Sequence, residues 1–285
     1  MAPRITFAAA PGVAAGLALG IADILVKIVV ASGCDVLTML TFRSLFGIVF
    51  VAVWLRLGAK PQVDARVRTV SLAIGVLFAG LIYFLFKAIA AIDVPTAILS
   101  YFVYPLVTGL AAALFGLERL RWQGLLCAVV AFLGMALMIG AHPAGLALAG
   151  VAFALGAALC RTGVLLATRA FLSGADVRLT TWYSIVSSTV IFVAVSLGTQ
   201  TWHAPQTAAG WAALIGLSLA TTLGIVFIFL STIRVGPFRT ALIMYLEPLT
   251  ATVLSALVLG EVMTPVEGVG AAIMLAALVA FQLWR

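Results

Sequence analysis

One stretch of this chain occurs twice. Residues 94–124 read VPTAILSYFVYPLVTGLAAALFGLERLRWQG and residues 236–268 read GPFRTALIMYLEPLTATVLSALVLGEVMTPVEG. An offset of 143 carries Tyr104-Pro105 onto Glu247-Pro248 and Leu117-Glu118 onto Gly260-Glu261, with thirteen residues from proline to glutamate in each copy. One inserted residue then brings Gln123-Gly124 onto Glu267-Gly268. Each copy is an apolar segment with a proline in its middle and an acid at its end. A chain built this way is duplicated, so the topology of one half constrains the other.

The surroundings of the repeat place it in a bilayer. With 65% hydrophobic and 9% charged residues and a mean hydropathy of +1.27, the chain has too little polar surface to cover a soluble globule. A spanning helix needs about 20 mostly apolar residues. Ten such stretches are present, at 11–31, 38–57, 69–90, 95–116, 121–140, 145–168, 178–198, 209–233, 237–260 and 265–284. The longest connection, RLGAKPQVDARVR from Arg56 to Arg68, is too short for a further domain. The loop Ser32-Gly-Cys-Asp-Val-Leu-Thr38 is echoed by Ser173-Gly-Ala-Asp-Val-Arg-Leu179, so the first and second spans correspond to the sixth and seventh. Five spans per half is an odd number, and the second half must enter the membrane from the opposite face. The expected fold is an all-α polytopic membrane protein of ten transmembrane helices, two inverted five-helix repeats at 1–141 and 142–285 forming one integral unit. Two near-equivalent inverted halves can exchange roles, which is the geometric basis of alternating access.

Charge sets the orientation. With the N-terminus on one side, that side collects Arg4, Arg56, Lys60, Arg66, Arg68, Arg119, Arg121, Arg169, Arg178, Arg234 and Arg285, and the opposite loops hold Asp35, Asp93, His142, His203, Glu261 and Glu267. Retention of Lys and Arg on the cytoplasmic side places both termini in the cytoplasm. It also accounts for the net charge of +7 and pI near 9.8 without any role for nucleic acid. Cys34, Cys127 and Cys160 fall in no metal or redox spacing and read as packing residues. The N-terminal MAPRITFAAAP runs directly into the first span, so no cleaved leader is expected. His142 and His203 read as solvated turn residues, and Trp54, Trp202 and Trp284 stand near span ends, as interfacial belts do.

The pattern of proline, small and apolar residues, Gly-Glu or Leu-Glu and then a glycine, seen from Pro105 to Gly124 and again from Pro248 to Gly268, resembles the EamA repeat of the drug/metabolite transporter (DMT) superfamily. The likeness covers essentially the whole chain, with Leu117 a minor departure. It implies a small-metabolite exporter of a bacterial inner membrane, similar to the aromatic amino acid and paraquat-type exporters, with amino acids, related metabolites or toxic cations as cargo.

Charges at hydrocarbon depth cost about 2.5 to 3.5 kcal/mol each on insertion scales, so they face protein or water and are candidates for function. Asp23 and Lys27 share one face of the first span, either neutralising each other or touching substrate. Arg43 can snorkel outward or serve packing. Tyr83 and Lys87 form an aromatic and cationic surface suited to a carboxylate, unless Lys87 snorkels. Arg161 is set by the inverted repeat roughly opposite Asp23, as an inner gate, a carboxylate anchor or half of a buried ion pair. Tyr101 and Tyr104 share a face before Pro105, and their equivalents are Met244 and Glu247 before Pro248. A cavity with these four on its walls suits an amphipathic solute bearing an ammonium group; the alternative is plain helix packing. Glu247 is also the candidate for proton coupling, which nothing in the sequence requires. Arg239 reads as an interfacial anchor, and Glu118 and Glu261 as structural acids at helix ends. Gly12, Gly16 and Gly20 have small-xxx-small spacing, for close packing or for sliding.

The expected function is therefore secondary export of small amphipathic metabolites, most of all amino acids. The alternatives are other metabolites or organic cations, a nucleotide-sugar-type exchanger, or a membrane scaffold. No HExxH, GxSxG or paired catalytic aspartates occur, so no enzyme, cofactor or metal is expected. The expected partners are a small-molecule substrate and the lipid bilayer, with protons left open and a monomer or dimer as the assembly.

Overall fold

The computed structural model of the chain describes residues 7–58, 62–140, 147–200 and 202–283. Arg4, Lys60, His142, Trp284 and Arg285 lie outside them. After a short 3-10 turn at Phe7–Ala9 come α1 (Ala10–Ala31), α2 (Val36–Leu57), α3 (Ala65–Ala91), α4 (Val94–Tyr101), α5 (Tyr104–Leu114) and α6 (Trp122–Ile139). The second half has α7 (Leu148–Phe171), α8 (Val177–Thr199), α9 (Ala208–Val235), α10 (Pro237–Ile243), α11 (Leu246–Leu259) and α12 (Pro265–Leu283). Taking α4 with α5 and α10 with α11, the described residues form ten helical spans long and apolar enough to cross a bilayer, and no strands. Each lies within a few residues of its sequence-derived bounds. The third starts earliest relative to expectation because Asp64 accepts the Arg66 amide and nucleates it before the apolar run begins.

Capping explains where most helices start. Asp35, Asp64, Asp93 and Asp176 accept backbone amides at the starts of α2, α3, α4 and α8, Thr207 does so for α9, and Thr264 with Glu267 closes a reciprocal box at α12. Gly140 and Gly260, both at positive φ, end α6 and α11.

The prolines of the fourth and ninth spans do more than free a carbonyl: both repeated spans are interrupted. Pro105 and Pro248 stand in the first turn of α5 and α11, where a missing amide costs nothing, and the chain turns at Phe102–Val103 and at Met244–Tyr245. The two breaks meet. Tyr245 Oη donates to the Phe102 carbonyl at 3.0 Å, and the rings of the two residues stack with centroids 6.0 Å apart. Phe102 and Tyr245 are exact repeat equivalents, 143 residues apart, so their contact marks the pseudo-two-fold axis.

The major packing runs between the halves. α1 lies on α9 and α11, α2 on α8 and α9, α3 on α7 and α8, and α6 on α12. Gly12, Gly16 and Gly20 face α9, α10 and α11: a Cβ on Gly20 would stand 2.5 Å from Thr250 Cβ and 2.8 Å from the Glu247 carbonyl. This ladder lets α1 pass close to the second broken span. At one face the α1–α2 and α8–α9 loops are tied together, His203 N–H donating to Asp35 at 2.8 Å and Gln206 N–H to the Ser32 carbonyl at 2.9 Å. At the other, Arg169 donates to the Ile233 carbonyl at 2.6 Å and Glu118 reaches the start of α10. We call these the outer and inner faces. Cys34 and Cys127 are buried, and all three cysteines are free thiols.

Candidate substrate site between the repeats

The chain carries nine acidic residues, and most have structural work. Four aspartates cap helices as described. Glu267 belongs to the α12 box. Glu118 accepts the Phe238 amide at 2.9 Å and stands 3.5 Å from Arg239 Nε. Burial raises the Glu118 carboxyl above its ordinary range, more than the Phe238 amide and the Arg239 charge lower it. Glu261 accepts Lys27 Nζ at 2.7 Å, and Ser255 Oγ donates to the same carboxylate, which holds it below the usual range. Asp23 and Glu247 remain. Neither makes a hydrogen bond or ion pair among the described residues, and one Glu247 oxygen is wholly buried without a partner.

These two acids lie on the same cavity. It has a volume of about 190 Å³ and lies between the repeats, with Asp23 from α1, Arg43 from α2, Tyr101 from α4, Arg161 from α7 and Glu247 from α11 on its walls. Leu81, Ile82 and Leu85 of α3 and Ile225 and Ile228 of α9 supply apolar surface. Asp23 is eight residues, about 12 Å at 1.5 Å per residue, from the outer end of α1, so the site is at mid-membrane depth. Although Asp23 has accessible surface, it lies deep among the helices; that surface opens on this cavity and on a second one above it. The second is an outer vestibule of about 400 Å³ bounded by Asp23, Lys27, Ser255, Glu261 and Glu267. Asp23 is thus the residue common to both.

Arg161 is held from several sides. Its guanidinium carbon is 5.7 Å from the centroid of the Tyr104 ring, and the Glu247 carboxyl bears on it. Its Nε and the Tyr104 hydroxyl are buried without a hydrogen-bond partner. Tyr101 and Tyr104 lie ring against ring at 5.3 Å.

Four expectations are corrected. Lys27 does not neutralise Asp23; it donates to Glu261 and, at 2.8 Å, to Ser255 Oγ, because the repeated motif acid of the second half descends beside α1. Tyr83 and Lys87 do pair, Nζ lying 5.9 Å from the ring centroid, but on a lateral groove with Val36, Val76 and Phe86 and not on the wall of the central cavity, from which Ile82 and Phe192 divide it. α3 presents Leu81, Ile82 and Leu85 inward, and residue 83 is turned by one to two steps of 100° from that face. Met244 and Tyr104 are fully buried in the aromatic core around the helix breaks and form backing, not wall. The break rotates residue 244 out of the register that an unbroken helix would share with residue 247.

Sequence reasoning missed Arg43 as a wall residue, together with the hydroxyls of Ser44, Ser184, Ser188, Thr221 and Thr222. A signal existed for the hydroxyls. α8 is the least hydrophobic of the ten spans, with Thr180, Thr181, Ser184, Ser187, Ser188 and Thr189 within ten residues.

Fold and site together define a polytopic membrane protein of transporter type, two inverted five-helix repeats around a charged central cavity. The chain belongs to the EamA-like transporter family, whose pattern matches residues 6–140 and again 148–281. One protein of known crystal structure superposes with a TM-score of 0.80 over 96% of this chain and 97% of its own, at 18% identity, a likeness of fold alone. No curated protein matches the chain significantly.

Proposed function

We propose that this protein is a secondary transporter, and not an enzyme, that exports small amphipathic metabolites, amino acids foremost, across a bacterial inner membrane by alternating access, with both termini cytoplasmic. The observation that carries the reading is the pair Asp23 and Glu247: two acids without structural partners, contributed by different repeats, on a cavity at mid-membrane depth. An intramembrane carboxylate is costly, and its retention there serves an ion or substrate. With Tyr101 beside them, the acids suit an ammonium group. The cavity volume of about 190 Å³ favours a small solute over a nucleotide sugar. The acid pair also supports organic cations as a second reading.

Purified protein in liposomes, assayed by counterflow with labelled neutral, aromatic and cationic amino acids and a quaternary amine, with and without a pH gradient, tests the proposal. Amino acid exchange that is lost in both Asp23→Asn and Glu247→Gln is the expected result. Exchange of the quaternary amine alone replaces it with the second reading, and exchange unaffected by either substitution removes the acid pair from the mechanism.

A further inference from the structure

We propose that Arg43 is the carboxylate anchor of the central cavity, making the site dipolar: a cationic pole on α2, and an acidic pole at Asp23 and Glu247. The proposal rests on the amino acid reading above and names the residue that would separate amino acids from simple amines.

Two arginines line the cavity, and they differ in what already surrounds them. Arg161 has the Glu247 charge beside it and the Tyr104 ring against its guanidinium. Arg43 has neither: among the described residues it forms no hydrogen bond, ion pair or ring contact, and no acid acts on it. Yet it stands eight residues into α2, about 11 Å from the outer end at 1.5 Å per residue. A lone guanidinium at that depth is expensive, and here it opens on the central cavity between the repeats. The neighbouring hydroxyls do not compete for an anion. Ser44, Ser184, Ser188 and Thr221 each donate to a carbonyl of their own helix, at 2.7 to 3.0 Å. Arg43, with its planar fork of donors, is thus the charged donor open to the cavity on that wall, beside the Thr222 hydroxyl, and matches a carboxylate in two-point geometry. The two poles come from different helices, Arg43 from α2 against Asp23 from α1 and Glu247 from α11, and Arg43 forms no ion pair with either acid. A small zwitterion presents one group of each sign to the two poles.

The test compares labelled leucine with leucinamide, which keeps the ammonium and side chain but lacks the carboxylate, in counterflow with wild type, Arg43→Gln and Arg43→Lys. The expected result is a rise in leucine KM of about tenfold or more in Arg43→Gln, with leucinamide changed much less and Arg43→Lys recovering part of the leucine loss. Retained leucinamide transport shows that the Gln variant is folded. Should wild type carry leucine while Arg43→Gln carries it equally well, or loses both substrates together without rescue by Lys, the anchor role is overturned and the transport reading survives. Wild type that carries no amino acid at all overturns both.

Discussion

At the scale of single residues, buried charges that make no direct ion pair still depend on one another. Arg161 and Glu247 form no direct ion pair, but their charges bear on one another, and removing either leaves the other less compensated in a low-dielectric interior. Arg161→Ala should therefore destabilise the protein by about 3–5 kcal/mol, whereas Arg161→Met combined with Glu247→Met should recover much of that loss, since replacing a buried pair by apolar groups is often neutral. Thermal unfolding in detergent measures the difference, and transport should be absent from both variants. Whether a charge sits on the cavity or merely near it was not legible in the sequence. The spacing of Tyr83 and Lys87 correctly implied that they meet, but which side of α3 faces inward depends on what packs there, and it is the Leu81, Ile82 and Leu85 side.

At the scale of elements, the two copies of the repeated motif are used differently, and one residue type accounts for it. Glu118 caps α10 through the Phe238 amide; the 143-residue offset carries Phe238 onto Pro95, which has no amide to offer. Glu261 is consequently available to Lys27 and Ser255, while Asp93 caps α4. The buried Glu118 carboxyl, raised by burial, binds protons in the folded state over a range where the unfolded chain has released them. Stability should therefore fall as pH rises from the ordinary glutamate value of 4.5 through the raised one. Glu118→Gln should flatten that slope, as read from melting temperatures across a pH series. The sequence announced the motif acid in both halves, but its partner lies 120 residues away in one copy and 234 in the other, beyond the reach of any local pattern.

At the scale of the whole molecule, the same asymmetry distinguishes the two faces. The outer vestibule of about 400 Å³ holds Pro95, Met138, Ile139 and Glu261; their repeat equivalents Phe238, Phe281, Gln282 and Glu118 line an inner pocket of only about 40 Å³. Ile243→Cys beside the inner pocket and Thr252→Cys in the vestibule, each in a cysteine-free background, should differ sharply in reaction with a membrane-impermeant maleimide. Thr252→Cys should react rapidly, from the face opposite the basic loops, and Ile243→Cys slowly. Equal rates would show that the difference in volume does not describe the protein in a bilayer.

Composition, span length and the repeat at a fixed offset determined the fold without help from coordinates. A chain this apolar must cross a bilayer as helices, and an odd number of spans per half must invert the second copy. Those rules act along the chain. What the tertiary structure decided was the fate of each charge: Lys27 drawn to Glu261, Tyr83 and Lys87 turned outward, Arg43 opened to the cavity, and Asp23 and Glu247 left facing it without partners. The reason is physical. Helical periodicity specifies which residues share a face but not what that face meets, and here nearly every face that matters meets the other half of the molecule.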